Sequence, residues 1–303
     1  MRINLFTRVE NILKGEWIII LTVMISIFLI SGMALAETDP KDLVPIPAGT
    51  DVFLVYHRSI SGSDMYQNGD EVSNNADFSC QLTMARYVHA FGVWGGTLQL
   101  NIIQPFGSID LELGELDDSN SDLGDTVLNA SYYYPFINED KNRLFLGAAI
   151  YVIPPTGGYD SEKSVNLGSN RWAYRPGVFF AWEIDRLLIE GTGTIDFYSD
   201  NTDYSVDSLT EEKDPLYVAE CHFSYNFTQS FYTSLSYRWS KGGEAELEGV
   251  GSMDDETDTK EMMFTAAVTI TPQTQLMLQY STDLDVENGI KQDYVGVRWA
   301  YFW

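Results

Sequence analysis

Residues 291–303 read KQDYVGVRWAYFW. Val295, Val297, Trp299, Tyr301 and Trp303 fall on one face of an extended chain; Tyr294, Gly296, Arg298 and Ala300 fall on the other. Successive side chains of a strand point to opposite faces, so one row is apolar and aromatic while the other carries a cation. Residues 215–227 repeat the scheme. Tyr217, Ala219, Cys221, Phe223 and Tyr225 share the apolar face, and Glu220, His222, Ser224 and Asn226 share the polar one. Working outward from these two segments, the same alternation recurs in units of roughly 10 to 13 residues, with connections that are by turns very short and long. That is the pattern of an antiparallel up-and-down barrel that spans an outer membrane, with tight periplasmic turns and long outer loops.

Twelve strands are predicted, at 50–60, 76–89, 93–106, 125–136, 143–154, 171–184, 187–198, 215–227, 231–240, 259–270, 274–282 and 291–303. The short connections include Asp185-Arg186, and the long ones are 61–75, 107–124, 155–170, 199–214, 241–258 and 283–290. An even strand number leaves both termini in the periplasm. No charge falls on the outward phase of the fifth to twelfth strands apart from their ends. A charge at the bilayer midplane costs about 2–4 kcal/mol, so a membrane wall requires this. Trp172 and Trp182 share one phase ten residues apart. At about 3.3 Å per residue and a tilt near 40°, they stand roughly 25 Å apart across the membrane, one at each aromatic girdle.

The N-terminus reads differently. Arg2, Arg8 and Lys14 precede an apolar run from Trp17 to Ile30, and Ala34-Leu35-Ala36 supplies the small residues of a cleavage site. Residues 1–36 are therefore expected to be a secretory signal peptide. Residues 37–49 form a short periplasmic segment and a possible small plug, with Asp42 to Thr50 able to tuck into the mouth. The barrel itself occupies 50–303. Loss of the signal leaves 267 residues with 42 acidic and 15 basic side chains, a net charge of −27. Such acidity argues against a nucleic-acid partner. Cys80 and Cys221 are read as small lipid-facing residues on opposite walls, too far apart for a disulfide.

Several stretches carry a family resemblance: Pro45-Ile46-Pro47-Ala48-Gly49-Thr50, Pro105-Phe106-Gly107, Leu123-Gly124-Asp125, Pro155-Thr156-Gly157-Gly158-Tyr159-Asp160, Asn166-Leu167-Gly168-Ser169-Asn170-Arg171-Trp172, Asp214-Pro215-Leu216-Tyr217 and Asp283-Leu284-Asp285-Val286-Glu287-Asn288-Gly289. Together they resemble the outer-membrane transporter family named for the meta-cleavage pathway of phenol degradation, over about residues 43–303. The resemblance implies a barrel in a Gram-negative outer membrane that admits small, largely apolar compounds, aromatics among them. It implies no catalytic or cofactor-binding residue.

The residues themselves offer four constellations. The inward phase collects Gln99, Asn101, Asn129, Tyr133, Arg171, Arg175, Glu183, Glu190, Asp196, Glu220, His222, Arg238 and Arg298. These describe either a hydrated solute path or ions that pair across the lumen and satisfy one another. A two-residue hairpin at Asp185-Arg186 sets Arg175 opposite Asp196 and Arg171 opposite Asp200. His222 with Ser224 and Asn226 suggests a lipid-modifying hydrolase, but all three point inward and nothing supplies an oxyanion hole. Asp117 to Asp125, DDSNSDLGD, superficially resembles a calcium loop, yet Gly124 comes late and Asn129 stands where a bidentate Glu belongs. No metal or cofactor is expected.

Pro176-Gly177 lies in mid-strand, with Gly191 and Gly193 outward on the neighbouring strand. Proline removes a ladder donor, so the plain reading is a β-bulge and the functional one a lateral portal. The six long connections carry 27 acidic residues against Lys163, Lys213 and Lys241. This acidic rim disfavours anionic solutes and suits contact with lipopolysaccharide through divalent ions. The aromatic C-terminal residue resembles the signal read by the barrel assembly machinery. A channel for passive uptake is the reading adopted. Its rivals are a lipid-modifying barrel enzyme and a plugged structural barrel whose loops bind a surface partner.

Overall fold

The computed structural model describes residues 38–303; the expected signal peptide lies outside the described residues. Twelve long strands form the wall: β1 (Asp51–Gly62), β2 (Asp77–Val93), β3 (Gly96–Leu113), β4 (Val127–Glu139), β5 (Asn142–Ile153), β6 (Ala173–Ile184), β7 (Leu187–Tyr198), β8 (Leu216–Asn226), β9 (Phe231–Gly242), β10 (Thr257–Thr271), β11 (Thr274–Val286) and β12 (Asp293–Phe302). Each pairs antiparallel with its neighbours in sequence, and β1 pairs with β12, so the sheet closes. Closure leaves no edge in the bilayer, where an unpaired backbone group finds no water. Asp51 and Trp303 exchange both backbone hydrogen bonds, at 2.9 and 3.0 Å, and fasten the seam at the end where the chain enters and leaves.

The tight turns carry the left-handed residues such turns require. Trp94-Gly95 joins β2 to β3 with φ of 49° and 78°, a pairing suited to the right-handed twist of the flanking strands. At Asp185-Arg186, Ile184 faces Leu187 as the hairpin reading predicts. The outward rows of β8 and β12 are the predicted ones, and all six tryptophans after residue 38 lie at the outer surface.

Pro176 corrects one expectation. The β6–β7 ladder omits the pairs at Pro176 and Arg175, yet Gly177↔Thr194 and Tyr174↔Phe197 keep the same register on either side. No residue is added, so this is a gap in the ladder rather than a bulge: proline lacks the N–H but leaves the strand length unchanged. Pro135 behaves differently, since the β4–β5 register shifts between Pro135 and Ile137. Arg171 precedes β6 and bonds Glu211, not Asp200.

β1, β2 and the part of β3 beyond Pro105 depart most from the sequence reading, while Gln99 and Asn101 of β3 face inward as expected. Leu54, Ile60, Phe78, Leu82, Met84 and Ile109 face inward and are buried in one apolar cluster. Cys80 belongs to that cluster and is fully buried, so the lipid-facing assignment holds for Cys221 alone. The outer row of the same sector carries polar groups that satisfy one another across the β1–β2 pair. His57 Nδ1 lies 3.0 Å from Thr83 Oγ1, and Gln81 Nε2 donates to Ser59 Oγ at 2.8 Å. Alternation alone does not state which row faces lipid, and here the apolar row faces in.

The outer loops are built rather than loose. Beyond Pro105, β3 pairs with Leu116–Leu123 to form a projecting arm. The acidic run at 117–122 is thus mostly strand, and its carboxylates diverge. Asp118 accepts from the Ser164 amide, while Asp125 accepts from the Gly157 and Ser169 amides. The connection 154–172 folds inward and seats Val165 and Leu167 on the apolar wall. Asn201–Tyr204, Leu209–Lys213, Ala245–Leu247 and Gly251–Ser252 make a four-stranded cap. Beneath it, Asp255 accepts from the Ala245 amide at 2.7 Å through one oxygen, and its other oxygen has no hydrogen-bond partner among the described residues. Burial pushes the Asp255 carboxyl up to about 6.

Two outcomes follow. In a background with Cys80 and Cys221 replaced by serine, a cysteine at Ser252 should react with an impermeant thiol reagent on intact cells and one at Ser230 should not; the reverse would invert the topology. An acid whose pKa is raised on folding holds more protons in the folded state, so its contribution is greatest at low pH and is lost as pH rises through about 6. Hydrogen exchange across Ala245–Leu247, corrected for intrinsic rate, should therefore slow from pH 7.5 to pH 5. Asp255→Asn should remove the dependence.

Candidate functional site: the lumen and its N-terminal segment

Residues 38–44 run through the lumen and bond to seven of the twelve strands. The Thr38 amide donates to Glu220 Oε2 of β8 at 3.2 Å. Thr38 Oγ1 also bonds that carboxylate and lies 3.1 Å from His222 Nε2. The amides of Lys41 and Leu43 donate to the two oxygens of Glu190 on β7, at 2.8 and 3.1 Å. Asp39 accepts from Arg298 Nη1 of β12 at 3.0 Å and from Gln279 of β11 at 2.7 Å. Asp42 accepts from Arg86 Nη1 of β2 at 2.6 Å, and its backbone carbonyl accepts from the Tyr133 hydroxyl of β4 at 3.0 Å. Lys41 Nζ stands 3.7 Å above the Tyr232 ring of β9 and donates to Asn226 at 2.7 Å.

The sequence explains why this segment takes an irregular path. Pro40 cannot donate, and Lys41 adopts φ 76°. A chain bent in this way leaves its amides aimed outward, where inward carboxylates receive them. Every buried backbone donor needs such a partner.

The expected lumen residues are placed as follows. Arg175 and Asp196 form a bidentate pair across the β6–β7 gap. Arg171 pairs with Glu211 at the outer mouth, and Glu183 with Arg143 near the periplasmic turns. Arg238 lies 3.5 Å from Glu220 and 3.9 Å from Glu261. Asn101 donates to Asn129 at 2.8 Å. Gln99 is buried close by on β3. Ser224 bonds Ser234 and Asn226 bonds Lys41, while His222 turns to Ser236 at 2.7 Å. The three residues of the hydrolase reading therefore serve separate partners.

Arg86, Asp39 and Leu43 are functional-site residues that the sequence reading missed. Arg86 shares a phase with Cys80, so the error over that row concealed it.

The lumen thus has two sectors. One, on β6 to β9 and β12 together with Arg86 of β2, is ionic, and most of it is tied to the segment. The other, on β1, the outer part of β2 and β3 beyond Pro105, is apolar and covered by Val165 and Leu167. Beside Asp42 and Leu43 a cavity of about 20 Å³ remains, lined by Arg86, Tyr133, Tyr151 and Phe179. That is room for about one water.

Near Pro176 the wall is thin on its outer side. Nothing lies within 4 Å of where a Cβ on Gly193 would stand, and Val178 opposite is two-thirds exposed. Gly191 differs, for the Phe180 ring covers it, and a Cβ on Gly177 would meet Thr194.

Known proteins share this architecture. The crystal structure of an outer membrane channel from Pseudomonas putida F1 superposes with a TM-score of 0.84 at 28% identity, covering 88% of this chain and all of that one. The β domain of the Bordetella autotransporter BrkA superposes at 0.51 with 10% identity, covering 83% of this chain and 99% of that one, a likeness of fold alone. No curated protein matches. A closed barrel similar to an outer membrane channel is a protein of the Gram-negative outer membrane, in contact with its lipid. The family model described as "Putative MetA-pathway of phenol degradation" matches residues 61–299, and the chain belongs to that family.

Proposed function

We propose that this barrel admits small apolar molecules, aromatics among them, by passive diffusion, and that residues 38–44 are a removable stopper. The observation that carries the reading is the inverted sector of β1 and β2. A hydrated pore has no use for an inner wall of Leu54, Ile60, Phe78, Leu82 and Met84. Burying a large apolar side chain is worth about 1.5–3 kcal/mol, so such a wall favours an apolar visitor over water. Val165 and Leu167 cover it at rest, and an entering solute exchanges one apolar contact for another.

The stopper is held by hydrogen bonds and ion pairs and not by continuous strand pairing, so it can leave without opening the barrel. The acidic rim, bridged by divalent ions, suits contact with lipopolysaccharide phosphates. The outward Trp303 suits recognition by the assembly machinery. A lateral exit at Pro176, Gly177, Gly191 and Gly193 is a second reading. It is favoured by the two missing ladder pairs and the uncovered Gly193.

In cells depleted of other porins, expression should raise the initial uptake of a labelled neutral aromatic several-fold. Deleting residues 38–44 should raise single-channel ion conductance at least threefold. Unchanged uptake, with folding established by heat-modifiable gel mobility, would favour a plugged structural barrel. Gly193→Trp has the space it needs, and it should reduce aromatic uptake while leaving ion conductance unaltered. If that variant folds and transports the aromatic like the parent, Pro176 marks a gap without a portal.

A further inference from the structure

We propose that Asp42 and Leu43 occupy the binding site of an apolar monocarboxylate, and that such a solute opens the barrel by taking their place. The proposal rests on the stopper reading and names the solute class that releases it.

Two adjacent residues present the chemistry of an aryl- or alkyl-carboxylic acid. The Asp42 carboxylate lies 2.6 Å from Arg86 Nη1 and 3.7 Å from Arg298 Nη1. The Leu43 side chain is buried among Tyr133, Phe145, Phe179, Ala181 and Leu188. A cationic subsite thus adjoins an aromatic-lined apolar one, separated by the few bonds that join a carboxylate to the next side chain.

The cationic subsite is held by the wall and not by the segment. Arg86 Nε and Nη2 both donate to Asn101 Oδ1, at 3.0 and 2.8 Å, and Asn101 is in turn fixed by Asn129. Arg298 Nη2 donates to Gln275 Oε1 at 2.6 Å. Both guanidiniums therefore keep their places when the segment leaves. A preorganised pair of this kind suits a carboxylate.

Selectivity follows from the cost of unpairing. Withdrawal of the segment leaves two buried guanidiniums without Asp39 and Asp42, and a buried charge stripped of its partner is strongly unfavourable. A solute carrying its own carboxylate restores the pairing and so drives release, whereas a neutral analogue does not and passes only when the segment leaves by itself. The remaining cavity of about 20 Å³ holds no solute beside the segment, so binding and release are one event. The acidic rim slows the arrival of anions at low salt without altering the site, and screening removes that field near 0.15 M ionic strength.

The test uses the mature chain in lipid nanodiscs at that ionic strength, with 3-phenylpropionate and the neutral 3-phenylpropan-1-ol as probes. Hydrogen exchange at the Lys41 and Leu43 amides reports the segment, because both donate to Glu190. The carboxylate should accelerate that exchange at least tenfold, and the alcohol less than twofold. Because Arg86→Gln loosens the segment by itself, its effect is read after deletion of 38–44. There it should weaken 3-phenylpropionate binding at least tenfold and leave alcohol binding unchanged. Equal acceleration by the two probes, no acceleration by either, or carboxylate affinity indifferent to Arg86 would overturn the proposal. Uptake of the alcohol by whole cells is scored separately, so the channel reading survives or fails on its own result.

Discussion

A closed sheet between two solvents has two faces and one alternation, and each strand must decide which row meets lipid. Ten strands turn their apolar row to the lipid within the barrel, β3 among them as far as Pro105. β1 and β2 make the opposite choice over much of their length. Their outer polar groups bond to one another, as His57 does with Thr83 and Gln81 with Ser59. That cross-strand pairing makes a polar outer row tolerable and frees the inner row to be apolar. The two-sector lumen, the seating of Val165 and Leu167 and the burial of Cys80 all follow from that inversion.

The ionic sector obeys a second constraint. Arginines on β2, β6, β9 and β12 point into the lumen with their side chains largely buried, and each stands beside an anion. The wall supplies some, as in Arg175 with Asp196. For Arg86 and Arg298 the partner carboxylates come from Asp39 and Asp42, outside the barrel strands. A short strand-free segment thereby becomes part of the charge balance of the wall. Its affinity is tunable, since ion pairs and single hydrogen bonds can be exchanged one for one with those of a solute.

Much of this was legible in the sequence. Strand number, closure, the Asp185-Arg186 register and the outward rows of β8 and β12 follow from period-two alternation and turn length, which depend only on neighbours along the chain. The inverted sector was not legible. Alternation fixes that Cys80 and Arg86 share a face, but not which face, and the loops that make an apolar inner row favourable lie far away in sequence. The lumen carboxylates Glu190 and Glu220 were identified as inward. Their partners, the amides of Thr38, Lys41 and Leu43, were hidden because backbone donors carry no residue-specific signal. The four strands of the cap escaped for a similar reason, since runs of two to five residues rarely complete a pattern.

The central claim is that the segment must leave the lumen for a solute to pass. A reversible tether tests it directly. With Cys80 and Cys221 replaced by serine, Thr38→Cys and His222→Cys can be joined by a short cleavable bis-thiosulfonate, since the native side chains lie 3.1 Å apart. Uptake of a neutral aromatic should fall to the level of porin-depleted cells on cross-linking and return on reduction. Undiminished uptake with the tether intact would show that the solute passes by a route on which residues 38–44 have no bearing, and the account would be wrong.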